Sequence, residues 1–152
     1  MRTKLMLDTN ILARICHPIK HRDVQAWFQS ILDERPPTFD VVVSAITFYE
    51  LQRALRKVGA SRSMEQLSEL AKHLSWLPIT VETAKQAAEL WSRLGEAGAQ
   101  ERDRISDADI LIGAQAMREG AVLVSSDGAL ARCGALVGLE VRDWSRIRPA
   151  AG

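Results

Sequence analysis

Short apolar runs alternate with longer segments of helical periodicity along most of the chain. Three of these runs, Leu5–Leu7, Val41–Val43 and Ala121–Val124, have the length and composition of buried strands. Stretches near Leu77–Thr80 and at Leu139–Val141 are expected to add two more strands. Because strands and helices take turns along the sequence, the pattern predicts a three-layer α/β/α domain with a central parallel sheet.

Apolar residues three and four positions apart predict the helices between these strands. Paired prolines in Glu34–Pro37 end the first helix, and Gly59 and Gly120 end two later ones. One expected helix carries Val24, Trp27, Phe28 and Ile31. A second runs from Ala45 to Val58, with Phe48, Leu51, Leu55 and Val58 on its apolar face. A third starts at Ser61 or Ser63, and two more span Val81–Leu94 and Asp107–Glu119.

Composition limits the class of protein. A chain of 152 residues with 47% apolar residues suits one domain, expected over residues 1–148 with a short tail at 149–152. The net charge of +1 means that any nucleic-acid contact depends on local patches. No apolar stretch approaches the ~20 residues of a membrane span or forms a signal peptide, so a cytoplasmic protein is expected. Cys16 and Cys133 form no closely spaced pair and are expected to be reduced.

Two acidic residues directly follow predicted strands. Asp8 comes after Leu5–Leu7, and Asp127 follows the strand that ends at Val124. The carboxyl ends of parallel strands meet at one edge of a sheet, which is where such folds bind ligands. Each Asp alone is equally consistent with a turn or a helix cap, but together they indicate a site.

Glu50 can reach the same edge, because its helix begins where the second predicted strand ends. Its neighbours Arg53 and Lys57 are also consistent with an ordinary solvated helix face.

Asp109 lies at the start of the most apolar helix. Ser106 as the N-cap places Asp107 at the first helical position and Asp109 at the third, where an acid also favours helix initiation. The two acids are about 200° apart around a helix, so both cannot face one ion. Asp109 is the expected ligand, and Asp107 remains a supporting or structural alternative.

Clustered carboxylates need a counter-ion. Two unit charges about 4 Å apart repel by about 4 kcal/mol at an effective dielectric near 20. Oxygen ligands without His or Cys suit Mg²⁺ or Mn²⁺ rather than zinc. The three histidines, His17, His21 and His73, show no zinc-ligand spacing.

These residues resemble the motifs of a known family. Asp8-Thr9-Asn10 after an apolar strand, Glu50, Asp109-Ile-Leu-Ile-Gly-Ala and Leu123-Val-Ser-Ser-Asp127 follow the order found in PIN-domain ribonucleases. Over essentially the whole chain the sequence is similar to the VapC-type toxin of VapBC toxin–antitoxin pairs. The resemblance implies that the four acids Asp8, Glu50, Asp109 and Asp127 bind one or two divalent ions, with Asn10 and Ser125 supporting them.

The resemblance also implies partners. The substrate would be RNA, such as tRNA or another structured RNA, and a homodimer would associate with a DNA-binding, VapB-like antitoxin. The expected phosphate contacts are Arg14, Arg53, Lys57, Arg102 and Arg104, although each could be an ordinary solvated cation. The four tryptophans are expected to be core or interface residues rather than platforms for stacked bases.

Two other functions fit part of the pattern. A haloacid-dehalogenase-like phosphatase also begins with an Asp after the first strand, but it requires an Asp where this chain has Asn10 and a late Lys that is missing. A non-catalytic PIN-fold module that binds RNA or protein would keep the fold without turnover, and the presence of all four acids argues against it.

Overall fold

The computed structural model describes residues 2–149, which form a five-stranded parallel sheet flanked by helices. Residue 1 of the expected domain and residues 150–152 of the expected tail lie outside the described range. The strands are β1 (Thr3–Leu7), β2 (Phe39–Ser44), β3 (Ser75–Leu77), β4 (Val122–Val124) and β5 (Val141–Arg142). They pair in the order β3-β2-β1-β4-β5, so β1 lies at the centre of the sheet.

Within residues 2–149, seven helices cover the two faces of this sheet. They are α1 (Thr9–Ile15), α2 (Arg22–Asp33), α3 (Ala45–Val58), α4 (Ser61–Ala71), α5 (Val81–Glu96), α6 (Asp107–Glu119) and α7 (Gly128–Val137). Short 3₁₀ turns at Arg102–Arg104 and Trp144–Arg146 precede α6 and follow β5.

The central strand β1 is buried on both faces, as its uninterrupted apolar sequence predicts. Leu5 and Leu7 pack among residues of α1, α2, α3 and α4, whereas Met6 packs on the other side against α5, α6 and α7. The three side chains are at most 1% exposed. The predicted three-layer α/β/α architecture is therefore confirmed.

The helices that lead away from the sheet edge begin and end largely where the sequence predicts. Ser44 caps α3, and Gly59 ends it with a positive φ of 68°. Ser106 caps α6, whose predicted bounds are confirmed, and Gly120 ends it in the same left-handed conformation. The predicted end of α5 at Leu94 is two residues too early.

Two short helices contradict the sequence analysis. No helix was expected directly after the first strand, but Asp8 is the N-cap of α1, which begins at Thr9. No helix was expected between Asp127 and the last strand, where α7 lies. Both helices are too short to show clear periodicity, and two glycines in α7 weaken its helical pattern further.

Two strand boundaries also differ from expectation. β3 ends at Leu77 instead of extending to Thr80, because Pro78 has no backbone N–H and Thr80 already caps α5. The last strand starts at Val141 instead of Leu139, whose N–H is bonded to the Gly134 carbonyl at the end of α7.

One single residue was also misassigned: Val58 was expected on the apolar face of α3 but is 74% exposed. Of the tryptophans expected in the core or at an interface, Trp27 is buried and contacts Trp144 with ring centroids 6.1 Å apart, and Trp91 is 38% exposed.

Both cysteines are free and buried. Burial raises the pKa of the Cys16 thiol to about 12, which makes this residue unreactive at neutral pH. Among residues 2–149, no helix is both long enough and apolar enough to traverse a bilayer.

Gly134 allows α7, whose N-cap is Asp127, to approach β5 closely. A Cβ atom at position 134 would lie 2.9 Å from the Leu139 carbonyl oxygen and 3.2 Å from Val141 Cγ2. We therefore expect Gly134→Ala to lower the free energy of unfolding by about 1–3 kcal/mol, because the helix must shift away from β5.

Urea unfolding of Gly134→Ala beside the exposed neighbour variant Ala135→Ser provides the measurement. Stability equal to or above that of the wild type would contradict the tight contact, since the Gly-to-Ala change alone favours a helix by about 1 kcal/mol.

Candidate active site

Asp8 lies where the central strand β1 ends and α1 begins, and it is only 3% exposed. Its Oδ1 accepts a hydrogen bond from the backbone N–H of Thr9 at 2.8 Å, and its Oδ2 accepts one from the Ser125 hydroxyl at 2.6 Å. Both oxygens are thus held by donors from two neighbouring strand ends. The carboxylate has a fixed orientation at the carboxyl edge of the sheet.

The surroundings of Asp8 disfavour its charged form. Burial raises its pKa to about 6, and the hydrogen bonds from Ser125 and Thr9 offset only part of this effect. The negative charges of Asp109 and Glu50 raise the pKa further. The structure therefore brings Asp8, Glu50 and Asp109, which come from three separate parts of the sequence, into electrostatic contact.

Glu50 reaches this edge from α3. The helix starts directly after β2, which pairs in parallel with β1, so its N-terminal half lies beside the end of β1. Glu50 Oε1 accepts a 2.7 Å hydrogen bond from the Thr9 hydroxyl. This contact orients Glu50 towards the site, in contrast to the alternative of a purely solvated helix face.

Asp109 lies at the third position of α6, as predicted. It forms a capping box with Ser106: Asp109 Oδ2 accepts from the Ser106 N–H, and the Ser106 hydroxyl accepts from the Asp109 N–H, both at 3.1 Å. The carboxylate therefore stabilises the helix start while its charge acts on Asp8. Asp107 is exposed and lines a groove beside Trp91 on the outer side of α6.

Asp127 follows β4 and is linked to Asp8 through Ser125. The Ser125 hydroxyl donates to Asp8 and accepts the Asp127 backbone N–H at 3.1 Å. Asp127 Oδ1 caps α7 by accepting from the Leu130 N–H, also at 3.1 Å. Asp127 is thus at the predicted edge, but its charge acts on Arg132 and Cys133 of α7.

Asn10 connects the ends of β1 and β4. Its Nδ2 donates to the Ser125 hydroxyl and its Oδ1 accepts from the Ser126 N–H, each at 3.3 Å. Asn10 and Ser125 therefore hold the backbone after β4 against α1.

The acids do not form a closed metal cage. Within residues 2–149, no three His, Cys, Asp or Glu side chains lie close enough together to hold an ion. Asp109 and Asp127 instead direct an oxygen to the N–H groups at the starts of their own helices. The carboxylates that do interact are coupled through space and through Thr9 and Ser125.

The five predicted phosphate contacts are dispersed. Arg14 lies at the site, where its Nη1 donates to the Ser126 hydroxyl at 3.2 Å. Arg53 stacks on Tyr49, Arg102 stacks on Trp91, and Arg104 lies 3.6 Å from Glu101; Lys57 is exposed in the last turn of α3. Only Arg14 has a contact that ties it to the ends of the central strands.

Sequence reasoning missed three polar residues at this edge: Thr9, Ser126 and Asp143. Thr9 binds Glu50, and Ser126 donates to Asp143 Oδ1 at 2.9 Å. Asp143 follows β5 just as Asp8 and Asp127 follow β1 and β4. The rule that selected those two acids would have found Asp143 had the last strand been placed correctly.

Comparison with known proteins identifies the family of the chain. The family model described as the PIN domain matches residues 5–136, which include all four predicted acids. No curated protein gives a significant match.

Similar solved structures include VapBC2 from Rickettsia felis, bound to a DNA fragment from its promoter, with a TM-score of 0.71, 20% identity, and coverage of 93% of this chain and 99% of that one. FitAcB from Neisseria gonorrhoeae has a TM-score of 0.65 and 20% identity, covering 94% and 99% of the two chains. VapC20 from Mycobacterium tuberculosis, a sarcin-ricin loop cleaving toxin, has a TM-score of 0.58 and 18% identity, covering 86% and 95%.

At these identities the solved structures show a common fold. The family match extends over most of the sequence, and the matched range includes Asp8, Glu50, Asp109 and Asp127. The chain is a member of the PIN-domain family.

Proposed function

We propose that this protein is a divalent-metal-dependent endoribonuclease, the toxin of a type II toxin–antitoxin pair. The observation that carries the proposal is the buried Asp8 carboxylate, coupled to Glu50 and Asp109 at the carboxyl edge of the sheet. Such an accumulation of negative charge is unfavourable for folding and is useful where a cation is bound.

The residues at this edge fit a hard divalent cation. The side-chain atoms of Asp8, Glu50 and Asp109 that could coordinate a metal ion are all oxygens. Within the described residues, His and Cys are absent from the contacts of Asp8. Mg²⁺ and Mn²⁺ prefer such ligands. Asp8, Glu50 and Asp109 would hold the ion, with Asp127 as a further ligand, after moving closer together than they lie in this structure. Once bound, the ion would lower the pKa of a water molecule and offset charge on the scissile phosphate.

The protein's own side chains supply the remaining functions. Ser125 and the Thr9 N–H hold both oxygens of Asp8, and the Thr9 hydroxyl holds Glu50. Arg14 provides positive charge beside these acids for an RNA phosphate.

The partner assignment is supported by similar proteins. The Rickettsia felis neighbour is a VapBC complex bound to promoter DNA, and the Mycobacterium tuberculosis neighbour is a sarcin-ricin loop cleaving toxin. By analogy, this chain would act on tRNA or another structured RNA in the cytoplasm, form a homodimer, and be inhibited by a DNA-binding antitoxin.

Membership of the PIN-domain family excludes the haloacid-dehalogenase alternative. The non-catalytic module remains testable: a wild-type protein that binds RNA and Mn²⁺ but cleaves no RNA would support it over the nuclease.

Asp8→Asn is expected to reduce RNA cleavage in Mg²⁺ or Mn²⁺ by at least ~100-fold, because it removes the central charge while keeping an oxygen for the Thr9 N–H. A gel assay with a structured RNA, run with and without EDTA, measures the effect. Asp40→Asn is the matched control, since Asp40 pairs with Arg2 at the start of β2, away from the site. Cleavage by Asp8→Asn at the wild-type rate would remove the proposed site.

The raised pKa of Asp8 also predicts how stability depends on pH without metal. The folded state holds the Asp8 proton up to a pH of about 6, whereas the unfolded chain releases it near the model value of 3.8. The contribution of Asp8 to stability therefore falls as the pH rises from about 4 to 6, and the total loss is on the order of 3 kcal/mol.

Urea unfolding of wild type and Asp8→Asn in EDTA isolates this contribution, because all other titrating groups are shared. Asp8→Asn is expected to gain stability relative to the wild type between pH 4 and pH 7, and Mg²⁺ should restore stability to the wild type alone. A difference in unfolding free energy between the two proteins that is independent of pH would contradict the raised pKa of Asp8.

A further inference from the structure

Asp143 places another carboxylate at the same edge of the sheet, directly after β5. Its Oδ1 accepts the Ser126 hydroxyl at 2.9 Å, and its Oδ2 accepts the Ser145 N–H at 3.1 Å and also the Ser145 hydroxyl. Both oxygens are therefore occupied by donors, so the side chain has a defined orientation. Asp143 is partly exposed and is not one of the four acids of the family motif.

The Ser126 hydroxyl links the Asp143 carboxylate to the Arg14 guanidinium. While the Ser126 hydroxyl donates to Asp143, it accepts Nη1 of Arg14 at 3.2 Å. The donor direction of Ser126 is fixed because a carboxylate can only accept. The lone pairs of the hydroxyl therefore face the guanidinium, and Arg14 is held at the ends of the central strands.

The same residues continue the network to Asp8. The Ser126 N–H binds Asn10 Oδ1, Asn10 Nδ2 binds the Ser125 hydroxyl, and that hydroxyl donates to Asp8 Oδ2 at 2.6 Å. A flipped Asn10 amide would place its Nδ2 donor against the Ser126 N–H donor, so the amide has one allowed orientation. Asp143 is thus connected to the central acid by consecutive hydrogen bonds.

The segment that carries Asp143 packs against α2. Trp144, the next residue, packs against Trp27 of α2, whose Nε1 donates to the Ile147 carbonyl at 2.7 Å. Burial raises the pKa of Asp143, but the hydrogen bonds from Ser145 and Ser126 and the charge of Arg14 outweigh it and lower the pKa. The carboxylate is therefore ionised at neutral pH.

We propose that Asp143 is a positioning residue that acts through Ser126 to hold the Arg14 guanidinium ready to bind a phosphate of the RNA substrate. This inference rests on the proposed ribonuclease function and adds to it a series of hydrogen bonds that positions the substrate. It also predicts an effect of unusual sign. Removing an anion near bound RNA should tighten binding by simple electrostatics, whereas removing the residue that orders Arg14 should weaken it.

The test measures binding of a fluorescein-labelled structured RNA in EDTA, over a series of NaCl concentrations. Asp143→Ala is expected to weaken binding by about 3- to 10-fold and to reduce the slope of log K against log salt by about 1, as loss of one phosphate contact does. Arg14→Ala should have the same two effects, and the double variant should be no worse than Arg14→Ala alone.

Two further variants separate positioning from general damage. Asp143→Asn retains an oxygen for the Ser126 hydroxyl and should bind within about 3-fold of the wild type. Glu140→Gln removes one negative charge from a residue paired with Arg142, outside the network, and should not weaken binding. Ser126→Ala should reproduce the loss if Asp143→Ala does not fold. Unchanged or tighter binding by both Asp143→Ala and Ser126→Ala would overturn the inference.

A second measurement needs neither RNA nor metal. Side-chain ¹⁵N NMR of Arg14 should show restricted guanidinium motion in the wild type and averaged signals in Asp143→Ala; identical signals in both would overturn the positioning. Cleavage in Mn²⁺ separates the two proposals. Wild type that binds RNA without cleaving it removes the nuclease function alone, whereas normal cleavage with unaltered binding by Asp143→Ala removes the inference alone.

Discussion

Asp8 ends the central strand with a carboxylate that water barely reaches and that two other acids repel. An isolated buried charge would be costly, so the fold supplies a donor for each oxygen, from Thr9 and Ser125. The residual imbalance is visible in the raised pKa. β1 must lie between β2 and β4 for these partners to meet, so the sheet order and the chemistry of the site depend on the same strand.

Three of the site acids also serve as helix-start residues. Asp8 caps α1, Asp109 closes the capping box of α6, and Asp127 caps α7. Carboxylates at helix N-termini are stabilised by free N–H groups and by the helix dipole. This dual use explains how the chain tolerates several acids at one edge: each oxygen given to a backbone N–H partly offsets the repulsion. It also explains why the acids do not close into a cage by themselves.

The sequence predicted the sheet and the acids better than their immediate surroundings. Long amphipathic helices such as α3, and the capped start of α6, depend on local periodicity, so their bounds could be deduced from the chain alone. The helices α1 and α7 are short and are stabilised by packing on the sheet, which periodicity does not reveal. Thr9, Ser126 and Asp143 form hydrogen bonds with residues that are distant in the sequence, and a local sequence pattern does not predict such partners.

The bond between Ser125 and Asp8 joins residues 117 positions apart. On a growing polypeptide, Asp8 leaves the ribosome long before its partner strand has been translated, and contacts of such separation form late in folding. Until β4 takes its place beside β1, Asp8 lacks its donor from Ser125. A half-synthesised chain is consequently unable to complete this site, so under the proposed ribonuclease function RNA cleavage would begin only when translation of the domain is nearly finished.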